Sequence, residues 1–418
     1  MKKLFFINES FENKISYYLL AAFLIALPFE HFYSEILLTC FAIHTLIHLK
    51  KDCLTALGNK TVWIISSIFF LSLFTIFYSD YIAEGFNDVK HQLGILLFPI
   101  CLSVTNLDLE KYKFSLLKIF AITCTITIVY LYIHAFLVIR YFHFSLLTIF
   151  YKSFINQNFS APIELHSTYL SMYVALSISI FLFLFFKKPG LKNTKYILFS
   201  AVLFAGLIQL SSRSVFIAMC LIIIIAIPVL LLHGKERLHF SVVSLVVFIV
   251  IVSAITNIDS FRKRYVNDLE DDLSETAVTP DLTETRMKRW VLELDVIRQS
   301  PWIGYGNGSE KQVLKNKYFK EKFYRSYLIE LNAHNQYFSF LINSGMIGLL
   351  LYLYILFFGF SKAIKRRDFL LLSFLILITV VSVSENILDV NKGIFFYSFF
   401  FSLFLLSPNK KNPPAFTE

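Results

Sequence analysis

Apolar residues arrive in this chain in runs too long for the interior of a water-soluble domain, with short charged clusters between them. A membrane-spanning helix needs about 20 mostly apolar residues, and by that measure the sequence predicts about twelve of them. The runs lie near 15–31, 33–48, 61–79, 92–106, 115–139, 167–186, 195–211, 213–233, 239–257, 334–360, 369–387 and 392–407. Hydrophobic residues make up 56% of the chain, aromatic residues 17%, and the mean hydropathy is +0.64. The expected class is therefore an all-α integral membrane protein. No repeat or low-complexity tract divides it, so residues 1–418 are expected to form one polytopic domain. The first run lacks a small-residue cleavage site and is followed at once by another, which predicts an uncleaved first helix.

The net charge of +10 invites a nucleic-acid reading, but the basic residues fall in alternate short loops. One set holds Lys2 and Lys3, then Lys50, Lys51 and Lys60, then Lys187, Lys188, Lys192 and Lys195, then Lys235 and Arg237, then Lys362, Lys365, Arg366 and Arg367. The intervening loops carry Glu30 and Glu35, then Asp80, Glu84 and Asp88, then Glu385 and Asp389. Basic cytoplasmic loops explain such a pattern without any nucleic acid. Both termini are then expected in the cytoplasm, and the long polar loop 258–333 on the outer side. The five cysteines all lie outside that loop, so neither a disulfide framework nor a zinc site is expected.

Within the loop, Asp281 and Glu284 have the spacing of a capping pair. Met287, Val291, Leu294 and Ile297 then recur at helical spacing until Pro301. This predicts an amphipathic surface helix whose apolar stripe packs on the bundle, leaving Arg286, Arg289 and Glu293 on another face. Residues 141–165, rich in aromatics but interrupted by Lys152, read as a second interfacial segment. Together the two would roof an outward cavity.

Charged and titratable residues at that surface are the candidates for chemistry. Arg213, in Ser211-Ser212-Arg213-Ser214, sits between two apolar runs; it is either a snorkelling residue or a phosphate ligand, since a guanidinium fork matches phosphate oxygens. Arg286 and Arg289, beside Trp290, offer the same choice between a solvated charge and an anion ligand. His334 stands where the chain re-enters the membrane, with Tyr337, Phe338 and Leu341 on one helical face. It is a packing histidine or a base able to take a proton from a sugar hydroxyl. His166, at comparable depth, is a secondary candidate, as are Asn335 and Tyr337. Gly304, Gly306 and Gly308 follow Pro301 without the strand and helix of a dinucleotide site, so a tight turn is expected, with amides approaching a phosphate as the alternative. The acidic run Asp268, Glu270, Asp271 and Asp272 has no apolar frame; it reads as solvated loop, and neither a metal nor another cofactor is expected.

Arg286, Trp290, Pro301, Gly304, Gly306 and Gly308, followed by Ala333-His334-Asn335 with Tyr337 and by Gly345-Met346-Ile347-Gly348-Leu349, resemble the signature region of the O-antigen ligase and O-antigen polymerase superfamily. The resemblance implies a C-type glycosyltransferase fold in the bacterial inner membrane, with a periplasmic active site and an undecaprenyl diphosphate-linked glycan as donor. It also implies that Arg213 and Arg286 hold the diphosphate, with Arg289 an extra basic residue beside them, and that His334 is the base. An O-antigen ligase acting on a lipid A core acceptor is the leading expectation. A polymerase with a glycan acceptor and a protein O-oligosaccharyltransferase share its donor chemistry. A glycan flippase or other transporter would instead show two similar halves, which are not evident here.

Overall fold

The computed structural model describes residues 6–187, 190, 193–267, 269–270 and 284–407. Asp281 and the Asp268, Asp271 and Asp272 part of the acidic run lie outside the described residues. Each apolar run read from the sequence is helical, with ends shifted by a turn or two. In chain order the helices are α1 (Phe11–Ala26), α2 (His31–Ile47), α3 (Lys60–Thr75), α4 (Ile82–His91), α5 (Leu93–Val104), α6 (Leu109–Tyr141), α7 (Ser167–Lys187) and α8 (Thr194–Leu210). They continue with α9 (Arg213–Leu221), α10 (Gly234–Asn257), α11 (Arg286–Gln299), α12 (Glu310–Lys320), α13 (Tyr324–Leu328), α14 (Gln336–Arg366), α15 (Phe369–Val381) and α16 (Asn391–Leu406).

Among the described residues five helices are long and apolar enough to cross a membrane: Lys60–Tyr78, Leu109–Tyr141, Ser167–Lys187, Arg213–Leu230 and Gln336–Arg366. Thr194–Leu210, Phe369–Val381 and Asn391–Leu406 are shorter apolar helices. The last of these, α16, is buried along nearly its whole length. A helix apolar on every side belongs inside a bundle, and the rings of Phe395, Phe399 and Phe400 meet Phe23, Phe98 and Phe120 from α1, α5 and α6. At the opposite extreme, α10 exposes Val242, Leu245, Val246, Ile249 and Val250, the side a lipid tail can cover.

Two ends of the bundle are chemically distinct. At one, Lys113 is buried with Asp368 at 3.8 Å and donates to the Ser407 carbonyl at 2.9 Å. At the other, segments 76–92, 142–166, 258–267, 284–335 and 382–390 converge. Residues 142–166 form short 3-10 turns, Leu146–Phe150 and Lys152–Phe154, with Phe144, Leu146, Leu147 and Tyr151 exposed, as an interfacial segment requires.

The surface helix exists as α11, but two details differ from expectation. Its N-cap is Thr285, whose side chain accepts from Lys288 N, while Glu284 instead takes the amides of Arg325 and Ser326 at 2.8 and 2.7 Å and pins the start of α13. Val291 and Leu294 are exposed, and the buried face is Glu293, Val296 and Ile297. Leu292, Val296 and Ile297 form a competing apolar stripe continuous with Leu314, Tyr318, Ala333 and Ile342, and that shared core decides the rotation. The face carrying Arg286 and Arg289 is consequently turned inward.

The glycines follow the expected tight turn. Gly345 interrupts α14 with φ 62 and ψ −156, a conformation only glycine adopts freely. The break releases the carbonyls of Ile342 and Asn343, which accept from Tyr305 N at 2.8 Å and Gly306 N at 2.9 Å. A Cβ on Gly345 would lie 2.3 Å from the Trp302 carbonyl carbon, and one on Gly308 2.3 Å from Gly85 N. The glycine triplet is a tight turn threaded between helices. The amides of Tyr305 and Gly306 are committed to α14, which leaves the phosphate alternative without support.

Candidate active site

α14 begins at Gln336, two residues later than the apolar run read from the sequence. Asn335 is its N-cap, with the carboxamide oxygen accepting from Tyr337 N at 3.0 Å and Phe338 N at 3.3 Å. His334 therefore precedes the helix, in a left-handed turn at φ 44, and does not share a helical face with Tyr337. That turn points the imidazole across to the loop between α15 and α16. Its Nδ1 lies 3.5 Å from Glu385 Oε2, and the histidine side chain remains about a third exposed at 34%. Tyr337 serves packing: its hydroxyl donates to the Thr379 carbonyl at 2.9 Å.

Four anchors hold the turn. Ala333 N donates to Glu310 Oε1 at 3.0 Å and Asn335 N to Asn386 Oδ1 at 2.7 Å. Gln336 N donates to the Ser382 carbonyl at 2.8 Å, and the Gln336 side-chain oxygen accepts from Leu388 N at 2.8 Å. Glu310 also accepts from Asn386 Nδ2 at 2.9 Å, from Asn343 Nδ2 at 3.1 Å and from the Ser339 hydroxyl. A buried carboxylate with this many donors satisfies the rule that buried charge must be hydrogen-bonded.

Glu385 joins the histidines and arginines electrostatically. Burial alone would raise its carboxyl, yet contact with His334 and the charges of His334, His166 and Arg286 outweigh burial and hold it below the usual carboxylate range. The Thr168 hydroxyl donates to its other oxygen at 3.2 Å. His166 is pulled below the usual imidazole range by burial, against the opposing charge of Glu385 and with further push from His334 and Arg264. Arg264 leads to the Arg213 corner: burial drives the Tyr265 hydroxyl up to about 12, opposed by Ser211 and by the charges of Arg264 and Arg213. On α11, burial raises Glu293 to about 8, opposed by a hydrogen bond from Tyr318 and by Arg289 and Arg286.

The structure thus gathers His334, His166, Arg213, Arg286 and Arg289 at one end of the bundle. It adds Glu385, Arg264 and Glu310, none of which the sequence reading proposed as site residues. Glu385 had been visible only as a loop charge, and Glu310 carries no local signal, since its partners lie up to 76 residues away.

Residues 198–353 match the model of the family described as O-Antigen ligase. This stretch carries the O-antigen ligase domain. No curated protein matches the chain. The domain match contains Arg213, Arg286, Arg289 and His334, while His166 and Glu385 approach it from outside its limits. It supports the O-antigen ligase and polymerase superfamily, and with it a membrane enzyme of the glycosyltransferase kind.

Proposed function

We propose that the protein transfers glycan from an undecaprenyl diphosphate-linked donor to an acceptor hydroxyl at the periplasmic face, as an O-antigen ligase acting on a lipid A core. The observation that carries this reading is the His334–Glu385 pair on a rigid turn, with inward-facing arginines beside it. In the reaction, His334 takes the proton of the acceptor hydroxyl as its oxygen attacks the anomeric carbon. The bond from that carbon to the diphosphate breaks, the diphosphate leaves with the electron pair, and the configuration inverts. Arg213 and Arg286 neutralise the leaving group, with Arg289 adding positive charge, in preorganised positions where such stabilisation is strongest. Glu385 orients the imidazole and stabilises the imidazolium that forms. A polymerase would use the same steps with a glycan acceptor, and a protein O-oligosaccharyltransferase with a hydroxyl side chain.

His334→Ala is expected to abolish transfer from a lipid diphosphate donor, by roughly 10²-fold or more, while expression and membrane insertion stay at wild-type level. A correctly inserted His334→Ala protein that transfers at the normal rate refutes the assignment.

A further inference from the structure

Beside the anchors of the His334 turn lies a cavity of about 140 Å³, between α4, the start of α12 and the first turns of α14. This is many times the roughly 10–15 Å³ that admits one water. Its wall toward His334 is shared with the site: Glu310 and Gln336, which anchor the turn, also line the cavity.

The lining chemistry is specific. Asp88 supplies a carboxylate that accepts, burial pushes the Asp389 carboxyl well up so that it can also donate, and Gln92 and Asn343 supply carboxamides, which both donate and accept. Phe340 contributes an apolar wall. Gln92 is only 8% exposed, yet its side-chain oxygen has no hydrogen-bond partner among the described residues, and the side-chain oxygen of Asn343 has none either. Buried polar atoms are ordinarily satisfied, so an acceptor left open toward a cavity marks a place where a donor belongs. Asp88 is raised to about 6, first by burial and then by the charge of Glu310, so its carboxyl can accept from a ligand hydroxyl or, when protonated, donate to one. Adjacent hydroxyls on a ring with an apolar face match acceptor oxygens placed around one aromatic wall.

We propose that this cavity binds one sugar ring of the glycan, through its hydroxyls, beside the His334 turn. The proposal rests on the transferase reading, in which a sugar must lie near His334. The ring belongs either to the acceptor or to the donor glycan, since both present the same hydroxyl chemistry.

The test uses full-length protein purified in detergent. Its probe is the oligosaccharide freed by mild acid from the surface polysaccharide of the producing strain. Saturation-transfer NMR reads binding to wild type, Gln92→Leu, Asp88→Asn and His334→Ala. Gln92→Leu and Asp88→Asn are each expected to weaken binding by at least about tenfold, the loss of one strong hydrogen bond. His334→Ala is expected to bind within about twofold of wild type. Asp88→Asn removes a carboxylate that burial disfavours, so it keeps the fold and separates lost recognition from lost stability. Inhibition of transfer by the same probe then names the source: competition with the acceptor assigns the cavity to the acceptor, competition with the lipid-linked donor to the donor, and either upholds sugar binding. No binding to wild type, or unchanged binding to both cavity variants, overturns the proposal. Binding is read without turnover, so its failure is distinct from that of the transferase reading, which the activity of His334→Ala decides.

Discussion

Glu310→Ala is the perturbation whose consequences the structure specifies most fully. The carboxylate accepts from Ala333 N and Asn386 Nδ2 on one oxygen and from Ser339 and Asn343 on the other. Each buried donor left without a partner costs about 1–3 kcal/mol. Ser339 and Asn343 line the adjacent cavity and can be rehydrated there, whereas Ala333 and Asn386 do not line it. Asn386 Nδ2 keeps Asp389 Oδ2 at 2.7 Å, so Ala333 N is the one stranded donor and the loss is about 1–3 kcal/mol. Ala333 and Asn386 both flank the His334 turn: Ala333 precedes His334, and Asn386 holds Asn335 N. His334 itself sits at φ 44, a conformation that costs a non-glycine residue roughly 1–2 kcal/mol and persists only under restraint. With the restraint gone the turn relaxes, and a displacement near 1 Å lowers transfer by about 10²-fold. Stability is measured by equilibrium unfolding in mixed detergent micelles and activity by initial transfer rate, with Asn386→Ala and the double variant completing a cycle. The expected coupling between Glu310 and Asn386 is about 1–3 kcal/mol. A Glu310→Ala protein that loses less than about 1 kcal/mol and keeps its full rate refutes this account of the anchor.

Two further predictions concern the flanking carboxyls. Glu293 titrates at about 8 in the folded protein against 4.5 as its ordinary value, so between these the folded state holds the extra proton and stability falls as pH rises through that window. Glu293→Gln should match wild type near pH 4.5 and exceed it by a few kcal/mol above pH 8; parallel stability curves for the two proteins would contradict the buried, protonated state. Glu385→Gln removes the charge facing His334 and should lower kcat roughly tenfold or more while donor KM stays within about twofold. An unchanged kcat would show that the pair does not position the base.

Local sequence was sufficient for the helices, because hydropathy period, caps and breakers act over a few residues. It placed α11 within the long loop and set 141–165 apart from the spanning runs, where the structure has short 3-10 turns with exposed aromatic residues. It did not settle which side of α11 turns inward, because two apolar stripes compete there and only the core shared with Leu314, Tyr318 and Ile342 chooses between them. The histidine was legible as a candidate from its position before Asn335, but its left-handed turn was not, since Asn335 serves both as helix cap and as anchor to Asn386.

The sequence by itself determined an all-helical chain with long apolar helices and a cluster of ionisable residues beside an O-antigen ligase motif. Tertiary structure alone decided that Glu385 faces His334, that Glu310 clamps the turn, and that a polar cavity opens beside that clamp. Those pairings join segments separated by 51 and 76 residues, as in the Asn335–Asn386 and Glu310–Asn386 bonds. A buried carboxylate is tolerable only where the folded chain brings it donors, and no window of local sequence records which donors arrive.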